Sequence, residues 1–292
     1  MKDTFIDEID HLILMHKDVH FGGNFSAMLN YYEKDAIGAQ EEFFPDRIQD
    51  LALMEANSPT PLSDLILDEV DKKEVQRAKE AYQSLQKLSA ADSFAAQKLA
   101  LLILSEEEEP LQEIEELCSF GKEAIPPLLF LLKQEDFYNP LFPGYGLSPS
   151  HAANCLGKLK AKEAIIPLFE SLSLMEFFGE EAAFKALSQI GDPARDFLLT
   201  TVKKAPLTKE NENAAIALTF FPRDSLIIST CLDLLELPSV QARATLFTYL
   251  LFSCEGIEEE SGIERVKDLL RSPLSIELRE EVSFILDSSK KI

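Results

Sequence analysis

The chain has no tryptophan, and only four histidines and four cysteines in 292 residues. Basic side chains number 28 against 51 acidic ones. Each shortage excludes something. Cys118, Cys155, Cys231 and Cys254 lie far apart, with no C-x-x-C pair, so their spacing supports neither a zinc site nor a disulfide framework. Set among apolar residues in helical patterns, they are expected to be buried, reduced thiols. No apolar run approaches the roughly 18 residues that a membrane span needs, the longest being Leu99–Leu104. The first ten residues are acidic where a signal peptide carries positive charge, so a cytoplasmic location is expected.

The shortage of basic residues is uneven. Residues 1–150 carry 29 acidic and 12 basic side chains, a balance of −17, whereas residues 151–250 come to −2 and residues 251–292 to −4. With a net charge of −23 and no basic stripe, neither a nucleic acid nor an anionic membrane surface is an expected partner. A protein is, and a basic one would complement this charge.

What is present is an internal repeat. Leu117-Cys-Ser-Phe120-Gly121-Lys-Glu-Ala124 and Leu187-Ser-Gln-Ile190-Gly191-Asp-Pro-Ala194 share an apolar pair three residues apart, then Gly, then Ala. Leu156-Gly-Lys-Leu159 repeats the pair with one extra turn residue before Ala164, and Leu218-Thr-Phe-Phe221 repeats it before breaking at Pro222. Leu246 with Tyr249 and Val282 with Ile285 continue the series. The leading position thus recurs at 117, 156, 187, 218, 246 and 282, and Ala152, Ala183, Ala214 and Ala242 precede four of these by one helical turn. Positions spaced by four and then three share a helix face, and a small residue there admits a close neighbour. A second apolar segment follows each turn, so each unit reads helix, tight turn, helix. Gly121 and Gly191 fall where a helix end favours a left-handed residue, and Pro193 where a missing N–H costs nothing. No period-two strand pattern competes.

These residues carry a resemblance. Residues 110–287 resemble HEAT repeats, most closely the short bacterial type named after phycobilisome lyases, with Ala183-x3-Leu187-x2-Ile190-Gly191-Asp192-Pro193-Ala194 the best match. The resemblance implies an all-α fold, an α-α superhelix in which each helix pair buries its apolar face on its neighbours. Residues 110–292 would form this solenoid. Residues 1–109 would form a helical N-terminal region, as divergent repeats or a cap, with helices near 3–16, 24–34, 46–56, 71–89 and 92–104 and a proline-punctuated linker at 57–61. For function, the resemblance implies a protein–protein interaction scaffold or adaptor binding along its second helices. It also allows a lyase or chaperone-like factor for a tetrapyrrole-bearing protein, although no pigment-binding residue can be named. HEAT-like deoxyhypusine hydroxylases hold iron through His-Glu dipeptides, and no histidine here precedes Glu. HEAT-like DNA glycosylases need a basic groove, against the acidic balance.

Three segments remain as candidate sites. His16-Lys-Asp-Val-His20 places two imidazoles on one helix face, a weak candidate metal pair for a metal-dependent enzyme. Lys17 stands where the zinc-protease motif needs Glu, and a third ligand is not evident, His11 and Asp18 being merely near. The competing reading is that the pair closes a helix before Phe21-Gly22-Gly23, where cationic side chains suit the dipole and Asn24 caps the next helix. No catalytic residue and no cofactor is assigned. His151, at a helix start, is expected to cap. Glu106–Glu109 reads as a solvated loop. The insert of residues 133–150 stretches one repeat to 39 residues and is rich in Pro, Gly and aromatics. Its Phe137, Tyr138, Phe142 and Tyr145 are either a partner-docking patch or a cover folded over the end of a helix pair.

Overall fold

The computed structural model describes residues 6–34, 40–90, 93–175, 177–221 and 223–289. Among these there is no strand, and the chain is all-α. By internal contacts it divides into two compact units, Met1–Cys155 and Leu156–Ile292. The division expected at 109/110 lies inside the first.

The first unit opens with α1 (Glu8–His20), α2 (Phe25–Tyr32), α3 (Pro45–Ala56), α4 (Leu62–Ile66), α5 (Glu69–Ser89) and α6 (Phe94–Leu104). Residues 3–5 and 92, included in two of the expected helices, lie outside the described residues. Local chemistry sets these starts. Asp7 and Asp10 exchange side-chain and backbone hydrogen bonds at 3.0 Å in a capping box that begins α1, and Asp68 and Asp71 do the same for α5. Asn24 accepts the Ala27 amide at 3.1 Å after a left-handed Gly22-Gly23 turn. The linker expected at 57–61 is shorter than its prolines suggested, because Pro61 serves as N-cap of the five-residue α4. Ile13, Leu14, Met28, Ile48, Leu51 and Ala78 form the core of this part.

The unit continues with α7 (Leu111–Cys118), a 3-10 turn (Gly121–Ala124) and α8 (Ile125–Leu131), followed by the insert and by α9 (Ser148–Lys158), which runs across the division. In the second unit a 3-10 turn (Lys162–Ala164) leads to α10 (Ile165–Ser171), then α11 (Phe177–Ile190), α12 (Asp192–Val202), α13 (Lys209–Leu218), α14 (Ser225–Leu235), α15 (Pro238–Gln241), α16 (Ala244–Phe252), α17 (Glu260–Leu269) and α18 (Ile276–Ser289).

Leu117, Leu156, Leu187, Leu218, Leu246 and Val282 are all buried, as are Ala152, Ala183 and Ala214. Ala242 is the exception. It lies exposed between α15 and α16, because α15 ends at Gln241 and α16 starts only at Ala244. The junctions after α7, α9, α11, α13 and α16 each contain one left-handed residue: Gly121, Lys160, Gly191, Arg223 and Gly256, with φ of 59°, 50°, 86°, 52° and 78°. Only three are glycine, so the junction geometry is kept even where a side chain strains it. Within the second unit, first helices pack in the series α11, α13, α16, α18, and second helices in the series α12, α14, α17.

Candidate functional site

The residues singled out in the sequence sit in the first unit and face inward. Phe142 is 3% exposed and Tyr145 is 5% exposed, so neither can form part of a surface patch. Phe142 joins the core of α1–α5, with the Arg77 guanidinium 5.4 Å from its ring centre. The physical cause is the backbone. Gly144, Tyr145 and Gly146 are all left-handed, and the chain passes so close to α6 that a Cβ on Gly144 would lie 2.2 Å from the Ile103 carbonyl oxygen. This packing pulls the insert onto the helices. Phe137 and Tyr138 lie half-buried in a 3-10 turn, where the Tyr138 hydroxyl donates to the Leu132 carbonyl at 2.8 Å. Of the four aromatics, Phe142 and Tyr145 are thus buried and Phe137 and Tyr138 half-buried.

Tyr145 also reaches the histidine pair. Its ring stacks on His20 at 4.2 Å, His20 lies 4.9 Å from His16, and the Tyr82 hydroxyl sits 2.9 Å from His20 Nδ1. Phe43 meets His16 edge-on at 4.9 Å. Tyr31 stacks on Tyr145 and donates to Glu106 at 3.0 Å. Burial holds the His16 imidazole down near a pKa of about 3, with His20 beside it as the second cause, and burial holds His20 near about 4. Both rings are therefore neutral at neutral pH. They do not act as cations at the end of α1, which corrects the dipole expectation: removal from water outweighs the favourable helix end. Burial likewise raises the Tyr31, Tyr82 and Tyr145 phenols well above their ordinary value. His11 is turned away, 3.3 Å from Asp71 on α5. Among the described residues no group of three or more His, Cys, Asp or Glu side chains is arranged to hold a metal ion. The cluster is a packed aromatic layer with two imidazoles inside it.

His151 caps, but not its own helix. It is buried, with Nδ1 3.3 Å from the Leu102 carbonyl oxygen and Nε2 2.8 Å from that of Glu107, at and beyond the end of α6. Glu106–Glu109 is exposed, as a solvated loop should be. Of the cysteines, Cys155, Cys231 and Cys254 are buried, Cys118 is partly so, and none forms a disulfide.

A cleft that the sequence reading did not find lies in the second unit between two second helices, α14 and α17. Its volume is about 390 Å³. Ile228, Leu232 and Ile257 supply its apolar walls, and Arg223, Glu258 and Arg265 stand at its edge. Gly262 makes room for the Ile257 wall: a Cβ there would lie 2.2 Å from Ile257 Cδ1. Arg223 and Gly256, the left-handed residues of two successive junctions, both line it. The signal in the sequence was Glu255-Gly-Ile-Glu-Glu-Glu260, where a lone apolar residue stands among charges. Ile257 is buried while its acidic neighbours are exposed. An apolar hollow with a charged rim can hold a side chain or small ligand of matching polarity. No family model matches the chain, and a search of curated proteins finds no match.

Proposed function

We propose that this protein is a HEAT-like α-α superhelical scaffold, preceded by a helical N-terminal region, that binds another protein along the surface of its second helices. The observation that carries this reading is apolar exposure on those helices. Phe130 on α8 is 60% exposed, Ile166 on α10 54% and Leu226 on α14 48%. Phe130 and Ile166 lie on the second helices of consecutive units and Leu226 on that of a later one, and large apolar side chains left in water there suit a partner surface better than a monomer's solvent face. The recurrent left-handed junction residue and the separate packing series of first and second helices support the superhelix. The acidic balance favours a protein partner over a nucleic acid.

The test is a triple substitution, Phe130→Ser, Ile166→Ser and Leu226→Ser, in the full chain. Partner capture from the native cytosol, read by mass spectrometry, should be lost while the melting temperature stays nearly unchanged, because exposed substitutions move stability by at most about 0.5 kcal/mol each. An undiminished capture would reject the second-helix surface.

A further inference from the structure

The cleft between α14 and α17 has a definite chemistry. Its walls are aliphatic. Its rim is acidic once the pairings are counted. Arg265 is already held by Asp233 at 2.8 Å and by Glu236 at 2.7 Å. Arg223 lies 3.8 Å from Glu258, both exposed. Among the described residues Glu255, Glu259 and Glu260, all exposed, have no ion-pair partner, and Glu259 lines the cleft. Four carboxylates, those of Glu258 and Glu259 on the lining and of Asp233 and Glu236 on Arg265, thus stand with two guanidiniums at the cleft. An anionic ligand entering here would meet both unpaired carboxylates and arginines that are already occupied. A cationic one would be attracted.

The volume of about 390 Å³ is near the lower end of ligand-sized pockets, roughly 300–1,000 Å³, and suits a side chain with its flanking backbone better than a whole helix. The floor is preformed. Gly262 lets Ile257 close against α17, and the left-handed backbone at Arg223 and Gly256 fixes the two junctions at the rim.

We infer that this cleft is a docking pocket for one aliphatic side chain carried on a lysine- or arginine-rich segment of a partner protein, the acidic rim reading the flanking cations and the Ile228–Leu232–Ile257 wall reading the apolar anchor. This rests on the second helices being the partner-binding surface, since α14 and α17 are both second helices.

The probe is a blocked synthetic peptide, Lys-Lys-Leu-Lys-Lys, added to the full-length protein with labelled isoleucine methyl groups. The Ile228 and Ile257 methyl resonances should shift. Replacing the peptide leucine by serine should weaken binding at least about tenfold, the scale of one buried aliphatic side chain. The charge-reversed Glu-Glu-Leu-Glu-Glu peptide should not bind. Ser229→Trp, which fills the cleft from an exposed lining position, should abolish the shifts, and Glu258→Lys with Glu259→Lys should weaken the basic peptide and admit the acidic one.

Absence of binding by the basic peptide, equal binding of its serine version, or undiminished binding to the Ser229→Trp protein would each overturn the proposal. Tighter binding of the acidic peptide would do so too and would mark an anion site. Failure here is separable from failure of the scaffold reading. If the Phe130, Ile166 and Leu226 substitutions still abolish partner capture, the second-helix surface stands and only the cleft assignment falls.

Discussion

Protonating His16 or His20 in the folded protein would place a charge inside a layer of aromatic rings. Both imidazoles have folded pKa values, about 3 and about 4, below the ordinary 6.5. The unfolded chain therefore takes up protons that the folded chain refuses. Stability is fully present above pH 6.5 and is lost as the pH falls from there toward about 4. Each histidine should cost on the order of 2 kcal/mol between pH 7 and pH 5, since one pK unit corresponds to about 1.4 kcal/mol. Melting temperatures followed over this range check the expectation, and His20→Phe should flatten part of the acid limb. A melt unchanged between pH 7 and pH 5 would show that the pair is hydrated. The shared face of the two histidines was legible from their spacing of four. Their neutrality was not, because it depends on Tyr145, Tyr82 and Phe43 closing over them from distant positions, and no local pattern reports such contacts.

At the scale of elements, the junction between paired helices matters most. Lys160 and Arg223 occupy left-handed backbone that a side chain disfavours by about 1–2 kcal/mol. Lys160→Gly, at an exposed junction residue, should relieve about that strain and raise the melting temperature, less whatever glycine adds to the entropy of the unfolded chain. Gly191→Ala should lower stability by about 1 kcal/mol although its Cβ meets nothing within 4 Å, since the penalty lies in φ and not in space. Equal melts for Gly191→Ala and the parent protein would contradict the junction account.

The insert is the second decisive element. Phe142→Ser with Tyr145→Ser should destabilise by several kcal/mol, as deletion of buried aromatic area does, and a melt within a degree of the parent protein would return these rings to the surface. Its length and composition were legible, and so was the choice between patch and cover. The sequence could not decide that choice. The decision rests on how closely Gly144 approaches Ile103, a contact between residues 41 positions apart. The repeats were read more securely because their signal is local and recurs. The same small and apolar positions return every 28 to 39 residues, and five of the six leading positions found this way also head a buried leucine row. Ala242 shows where the rule stops, at a helix broken in two.

At the scale of the whole molecule, a charge of −23 on 292 residues opposes folding by self-repulsion. Added salt screens it, so the melting temperature should rise between low ionic strength and about 0.5 M sodium chloride, where the Debye length falls to a few ångströms. The first unit, which holds most of the surplus acid, should gain most. The all-helical class was legible from periodicity alone. The division between compact units was not, because α9 runs through it and its one proline, Pro149, stands at the helix start, away from the division after Cys155.

The claim on which the functional account turns is that partners meet the second helices, and site-specific photocrosslinking tests it most directly. A benzophenone amino acid placed at 130, 166 or 226 would report on second helices, and one placed at Gln112 or Lys185, both exposed on first helices, would report on the other layer. The expected result is one common crosslinked partner from the three second-helix positions and none from the two first-helix positions. Crosslinks confined to Gln112 and Lys185, or different partners from each second-helix position, would contradict it.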